Sequence, residues 1–123
     1  MPCINNVTTF AIISMFLAMT PDIAFANDRI DTKLEFIEKI AGKRISETSN
    51  TWLVANKNGK LTGKYRGAGI SGDWNWEGKF WCRTGRVGII PLPQECQQVT
   101  LLGNQLILTR KKGTGASFTY TIR

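Results

Sequence analysis

The chain contains no histidine, and this absence excludes several kinds of chemistry. Catalytic triads, general bases and metal sites built on imidazole are all ruled out. Acidic residues are also few: 9 Asp and Glu stand against 16 Lys and Arg, which gives a formal net charge of +7. Of the 123 residues, 42% are hydrophobic and 20% are charged, a balance typical of one globular domain rather than of a disordered chain.

Long apolar runs are scarce as well, and the clearest one lies at the amino terminus, over residues 7–19. It is shorter than the roughly 20 residues that a membrane span needs. The small-x-small pattern Ala24-Phe25-Ala26 follows it, and polar residues come next. We therefore predict a signal peptide over residues 1–26. Because no Lys or Arg precedes the apolar run, an uncleaved amino-terminal anchor is the alternative.

The mature domain is then residues 27–123, and we expect it to be periplasmic or secreted, with no stable membrane span after cleavage. Cleavage would leave two cysteines, Cys82 and Cys96, which in an exported small domain favour one structural disulfide. The alternatives are a metal-binding pair, for which further Cys or His ligands are missing, and a redox pair, whose cysteines usually stand two residues apart. We predict no metal and no cofactor.

One amphipathic helix opens the predicted mature domain. The segment Thr32-Lys33-Leu34-Glu35 fits a capping box, and Gly42 suits the carboxyl-terminal cap, so we predict a helix over residues 32–41. After Gly42 the apolar period changes to two, which predicts about seven short strands. The expected fold is mainly β: a small antiparallel meander or lipocalin-like barrel of about seven strands with one short amino-terminal helix.

Glycine and proline mark the predicted turns. Asn58-Gly59 predicts a type I′ hairpin turn, and Pro91-Leu92-Pro93 predicts a loop, because proline does not fit a central strand. The segment Gly67–Gly72 matches G-x-G-x-x-G, the pattern of dinucleotide-binding loops. Here it lies between two predicted strands rather than before a helix, so we interpret its glycines as allowing a bend in a curved sheet.

Aromatic and basic side chains supply the candidate ligand contacts. The aromatic residues either fill the core or form the walls of a ligand cup, with Trp52 and Trp74 near its mouth. Lys60, Lys64 and Arg66 share one strand face, which either binds an anionic component of the cell envelope or is a solvated surface. Nucleic acid is not expected in this compartment. The candidate ligand-binding residues are Trp52, Tyr65, Trp74, Trp76, Lys60, Lys64 and Arg66.

Candidate catalytic groups are lacking. Asp73 and Glu77 would stand about 13 Å apart along a strand, which is wider than the carboxylate pairs of glycosidases. We therefore predict a non-enzymatic binding module that recognises a small, partly apolar or anionic ligand. The alternative is a protein–protein module, such as an inhibitor or accessory subunit of an acidic envelope enzyme, with the Pro91–Pro93 loop as its contact.

Two elements of the sequence resemble a known family. The G-x-W-x-W of Gly72–Trp76 and the F-x-C-R…C-Q-x-V of residues 80–83 and 96–99 are similar to short secreted proteins of alphaproteobacteria. The resemblance covers nearly all of the predicted mature chain and implies an exported location and a paired Cys82 and Cys96. Members often bear the name dihydrodipicolinate reductase. That enzyme is a cytoplasmic two-domain oxidoreductase with a histidine-containing motif, so we place the reductase last among the functions.

Overall fold

The computed structural model describes residues 28–123, so the predicted signal peptide lies outside the described residues. Nine strands and two short helical segments make up this part of the chain. In chain order they are β1 (Arg29–Ile30), α1 (Lys33–Lys39), β2 (Arg44–Thr48), β3 (Thr51–Ala55), β4 (Lys60–Tyr65), β5 (Ala68–Glu77), β6 (Phe80–Val87), β7 (Ile90–Leu102), β8 (Gln105–Thr109), α2 (Arg110–Gly113) and β9 (Ser117–Ile122).

Strands β2 to β9 close into one antiparallel barrel. Each pairs with the next strand in sequence, and β2 also pairs with β9, while β1 adds to the edge of β7. This up-and-down order confirms the predicted mainly-β barrel with one amino-terminal helix. The barrel has eight strands rather than about seven. The strand that the sequence did not predict is β2, which contains a single buried residue, Ile45, and shows little apolar alternation.

Helix α1 closes one end of the barrel. Its amino terminus is capped as predicted, since the Glu35 backbone N–H donates to the Thr32 hydroxyl over 3.2 Å. Phe36 on this helix is 2% exposed and packs among three tryptophans of the barrel. Their ring centroids lie 5.0 to 6.0 Å from that of Phe36; they are Trp74, Trp76 and Trp81. A hollow of only about 10 Å³ remains beside Phe36, so this half of the interior is filled.

The prediction of a loop at Pro91-Leu92-Pro93 is wrong, because β7 begins at Ile90 and contains both prolines. Residues 90–97 of β7 pair with β6 along one edge, whereas pairing with β8 on the other edge starts at Gln98. Proline has no N–H to give to a ladder. It is tolerated here because the outer edge of this part of β7 has no strand beside it.

The type of turn predicted between β3 and β4 is wrong, whereas the glycines of the G-x-G-x-x-G segment lie in a turn and a strand as interpreted. Between β3 and β4, Gly59 has a φ of 86° but Asn58 does not have a positive φ. The turn is therefore a three-residue loop with glycine in the left-handed position, not the predicted type I′ turn. In the G-x-G-x-x-G segment, Gly67 forms the turn between β4 and β5 with a φ of 84°, and Gly69 and Gly72 lie within β5.

Cys82 and Cys96 form the predicted disulfide. They face each other in register on β6 and β7, with Cα atoms 4.0 Å apart. Glu77 lies beside them, its Oε2 3.4 Å from Cys82 Sγ and 3.6 Å from Cys96 Sγ. A disulfide sulfur carries no hydrogen, so these contacts are not hydrogen bonds, and the oxidised pair offers no thiolate to a metal ion.

Gly72, like Gly63 and Gly85, lies where a neighbouring strand approaches too closely for a side chain. A Cβ added there would lie 2.8 Å from Gly85 Cα and closer still to the Thr84 carbonyl oxygen, whereas a Cβ at Gly69 would meet nothing within 4 Å. We expect Gly72→Ala to lower the free energy of unfolding by about 1–3 kcal/mol, measured by urea denaturation. Gly69→Ala, on the same strand, should change it by less than about 0.5 kcal/mol. Equal effects of the two substitutions would contradict a close backbone approach at Gly72.

Candidate ligand-binding site

The end of the barrel opposite α1 is open and contains a cavity of about 410 Å³, which we call the cup. The turns β2–β3, β4–β5 and β6–β7 and the segment α2 surround its mouth. Trp81 belongs both to the filled cluster around Phe36 and to the lining of the cup, so it forms the floor. Apolar side chains supply much of the wall: Leu53, Leu61, Ile70, Leu92 and Leu108.

The strand register explains why Trp81 and Arg83 face inward. Directly opposed residues of an antiparallel pair project to the same face, and Trp81 is opposed to Trp76 on β5 and to Gln97 on β7. Successive side chains alternate between faces, so Arg83 follows Trp81 on the inner face of β6, one layer nearer the open end. A cation is thereby placed directly above the aromatic floor.

Arg83 is the cation nearest the floor of the cup, and it has no ion-pair partner among the described residues. Its Nη1 donates to the Pro93 carbonyl oxygen over 3.1 Å, and no described carboxylate lies within 4.0 Å of it. Burial lowers the pKa of Arg83, and the neighbouring charge of Arg110 lowers it further, while Glu95 opposes the shift. An arginine titrates so far above neutrality that the side chain still stays charged.

Glu95 balances a different arginine. Arg110 Nε lies 3.3 Å from Glu95 Oε1, which also accepts a hydrogen bond from the Lys111 backbone N–H over 2.9 Å. This backbone hydrogen bond is the main reason that the pKa of Glu95 is lowered, and the charge of Arg110 adds to the effect. The carboxylate is therefore held at the cup wall, where it pairs with Arg110 rather than with Arg83.

Two buried polar atoms in the cup have no hydrogen-bond partner among the described residues: Trp81 Nε1, a donor, and Gln97 Oε1, an acceptor. Their side chains belong to residues 2% and 6% exposed and are opposed in register. Leaving such a group unpaired costs about 1–3 kcal/mol. A polar ligand atom between β6 and β7 would offset part of that cost.

Tyr120 completes the polar side of the cup. Burial raises the pKa of this phenol, and the charge of Glu47 raises it further. Tyr120 therefore stays neutral at pH 7 and keeps its O–H as a donor. Glu47 is the acidic residue of the lining, against four basic ones. The basic residues are Lys64, Arg66, Arg83 and Arg110.

Of the seven predicted ligand-binding residues, four line the cup and three do not. Those at the cup are Trp52, Lys64, Tyr65 and Arg66. Trp52 and Lys64 are opposed in register and share the outer strand face with Lys60, so they border the cup at its edge. Trp52 also stacks under a guanidinium group, with Arg44 Cζ 3.8 Å from its ring centroid. The other three lie elsewhere: Trp74, Trp76 and Lys60.

The position expected for Trp74, near the mouth, is wrong. Trp74 and Trp76 lie at the closed end against Phe36, and their indole N–H groups donate to the Asn56 and Gly78 carbonyl oxygens. Lys60 lies on the outside of the barrel, in an open groove of about 490 Å³, and its Nζ is 2.7 Å from Asp73 Oδ1. These three residues have structural or surface contacts already.

Sequence reasoning missed the most informative residues of the cup, namely Trp81, Arg83 and Gln97. A signal was present, because Trp81 and Arg83 alternate along one strand and must share a face. A charged residue in an otherwise inward row indicates a polar interior. Gln97 and Arg110 have no comparable local signal, since their inward position depends on the pairing of distant strands.

The pairing of Glu95 generates a pH-dependent prediction. A carboxyl whose pKa is lowered in the folded state stabilises the fold above its unfolded pKa, and this contribution is lost as the pH falls through the folded pKa. We expect Glu95→Gln to be less stable than the natural protein by about 1 kcal/mol at pH 7, measured by urea unfolding. The difference should shrink below about pH 4.5, the ordinary value for this group. A difference that stays constant down to pH 3 would contradict a lowered pKa.

Comparison of the chain with protein-family models, with curated proteins and with solved structures found no significant match. Within residues 28–123, none of the helices is both long enough and apolar enough to cross a bilayer. Inferences about function therefore depend on the chemistry of the cup and of the surface around it.

Proposed function

We propose that the protein is a binding module that holds a small amphiphilic anion in the cup and does not catalyse a reaction on it. The observation that carries this proposal is Arg83: a half-buried cation on the inner face of the cup, next to its aromatic floor, with no described carboxylate within 4.0 Å. A buried charge without a partner is costly. A ligand anion would supply the missing partner.

The dimensions of the cup support a small ligand. Its volume of about 410 Å³ lies in the lower part of the range for small-molecule pockets, about 300–1,000 Å³. Small eight-stranded barrels have room for one such molecule. The filled cluster around Phe36 stops the ligand at Trp81, so the bound molecule has to fit between the floor and the mouth.

The lining supports a ligand with two chemically different parts. Arg83 and Arg110 favour a carboxylate or a phosphate, since guanidinium groups bind planar and tetrahedral anions with paired hydrogen bonds. Leu61, Leu108 and Phe118 favour an apolar chain or ring. A fully charged polyanion would leave this apolar wall unsatisfied, and a pure hydrocarbon would leave Arg83 unpaired.

A matched pair of variants tests the cup. We expect laurate to shift the tryptophan fluorescence saturably and dodecanol to bind at least about tenfold more weakly, because it lacks the charge. Arg83→Met should weaken laurate binding by about tenfold or more. Lys60→Met removes the same charge from the outside of the barrel and should leave the affinity within about twofold. Equal losses in the two variants, or equal binding of laurate and dodecanol, would contradict an anion site at Arg83.

We also propose that the protein acts outside the cytoplasm, in the periplasm or as a secreted protein. The disulfide between Cys82 and Cys96 supports this location, because disulfides persist in oxidising compartments. Mass spectrometry of the protein recovered from the periplasm should find an amino terminus at Asn27 and a mass that corresponds to one disulfide. A full-length cytosolic product with both thiols free would overturn the proposal. Saturable binding of NADPH to the mature protein would instead favour the reductase named in the family that the sequence resembles.

A further inference from the structure

The exposed apolar side chains of the barrel gather at one end. Five large hydrophobic residues are exposed in the described chain, and Leu34 on α1 is the one at the closed end. The other four surround the mouth of the cup: Tyr65, Ile89, Ile90 and Phe118, with exposures of 45%, 93%, 65% and 41%. Single exposed apolar residues are ordinary, whereas a group of them at one end of a molecule indicates an interaction surface. We call this end the open rim.

The hairpin of β6 and β7 holds the most exposed pair at its tip. Val87 and Ile90 form its last register pair, and Gly88 and Ile89 make the turn. The Cys82–Cys96 disulfide joins the two strands at the base of this arm. From Cys82 to Val87 the strand extends about 17 Å at its usual rise per residue. Along this length β6 stays paired with β5: Val87 is opposed to Ile70, and the Gly88 N–H donates to the Gly69 carbonyl oxygen over 2.8 Å. The tip of the arm is therefore held beside the β4–β5 turn at the open end.

Basic side chains surround these apolar residues. In the described chain, none of the rim's lysines and arginines other than Arg110 has a carboxylate within 4.0 Å. Glu47 is the acidic residue that lines the cup, and the nearby Glu95 is already paired with Arg110. The rim therefore has a net positive charge. Its uncompensated basic residues are Lys64, Arg66, Arg86 and Lys111.

Some of these basic residues adopt a strained backbone conformation, with a positive φ. The non-glycine residues with positive φ in the described chain are Arg66, Lys111 and Lys112, at 48°, 51° and 54°. All three are basic. Arg66 lies at the β4–β5 turn of the open rim, whereas Lys112 Nζ lies 5.7 Å from the ring centroid of Phe80, at the start of β6. Glycine would adopt this conformation without strain, whereas an L-residue pays about 1 kcal/mol or more. At Arg66 and Lys111 the cationic side chain is thus kept in a strained conformation, and it adds to the positive charge of the rim.

We infer that the open rim docks on an anionic lipid surface. Aliphatic and aromatic residues enter the boundary between headgroups and acyl chains, while Lys and Arg bind the anionic headgroups, each basic residue strengthening binding several-fold near the surface. Two exposed isoleucines at a hairpin tip, with basic residues around them, match the apolar and anionic layers of such a surface. If the proposed function holds, the cup opens directly onto the source of its amphiphilic ligand.

Sedimentation with vesicles tests this inference. We expect the natural protein to bind vesicles of phosphatidylcholine with added phosphatidylglycerol, to bind phosphatidylcholine alone weakly, and to be released as salt is raised. Ile89→Asp should weaken binding to the anionic vesicles by about tenfold or more, since it removes an apolar anchor and adds a negative charge. Leu34→Asp makes the same kind of change at the closed end and should leave binding within about twofold.

Three results would overturn the inference: no sedimentation with anionic vesicles, equal binding by the natural protein and Ile89→Asp, or equal loss in Leu34→Asp. Capture of one stoichiometric periplasmic protein that needs Ile89, without vesicle binding, would also overturn it and favour the protein–protein module. Laurate binding by the Ile89→Asp variant separates the two proposals, because the cup lies away from the tip. Thermal unfolding of each variant checks that it is folded.

Discussion

The packing of Phe36 against the barrel tryptophans is the contact on which the rest of the molecule depends. Without α1, the barrel would be open at both ends, and the short helix would have no surface on which to bury its apolar side. With Phe36 inserted, one half of the interior becomes a filled core and the other half stays hollow. Trp81 lies at the boundary and serves both halves. Stability and a binding cavity are thus separated along the barrel axis, so a ligand can occupy one end without disturbing the packing at the other.

The cup owes its chemistry to an uneven distribution of charge. Glu95 could in principle neutralise Arg83, which it opposes in register. It is instead held by Arg110 and by the Lys111 backbone N–H. A backbone hydrogen bond of this kind is set by the fold and does not rearrange easily. Glu95 is therefore already bound to other groups, and the described acceptor of Arg83 is the Pro93 carbonyl oxygen. This arrangement maintains a cation beside the apolar wall of the cup, which is the physical requirement for binding an anion there.

Local signals in the sequence predicted the elements but not their arrangement around the barrel. The Thr32–Glu35 capping box and the alternation of the strands depend on neighbouring residues, so helix α1 and the barrel could be predicted. Pro91 and Pro93 were misjudged because their place in β7 depends on where β8 begins to pair, a contact between distant segments.

The candidate site shows the same limit. Trp74, Trp76 and Trp81 all alternate onto the inner face, and the sequence does not distinguish a tryptophan that packs on α1 from one that forms the floor of the cup. The difference depends on which end α1 closes, which is a property of the whole fold. Lys60 and Lys64 likewise share a strand face, yet one lies opposite Asp73 and the other near the mouth, because they stand at different heights along the barrel.

The prolines of β7 protect the unpaired edge of the β6–β7 hairpin while its tip stays exposed. A strand edge without a partner can pair with another chain and cause aggregation, and residues 90–97 present such an edge where β8 has not yet begun. Pro91 and Pro93 remove two N–H groups from this segment, and the Lys111 backbone N–H binds the Glu95 side chain beside it. These features oppose edge-to-edge pairing along the arm while its tip, at Ile89 and Ile90, stays apolar and exposed. An arm protected along its edge but not at its tip is suited to contact a surface through side chains rather than through its backbone.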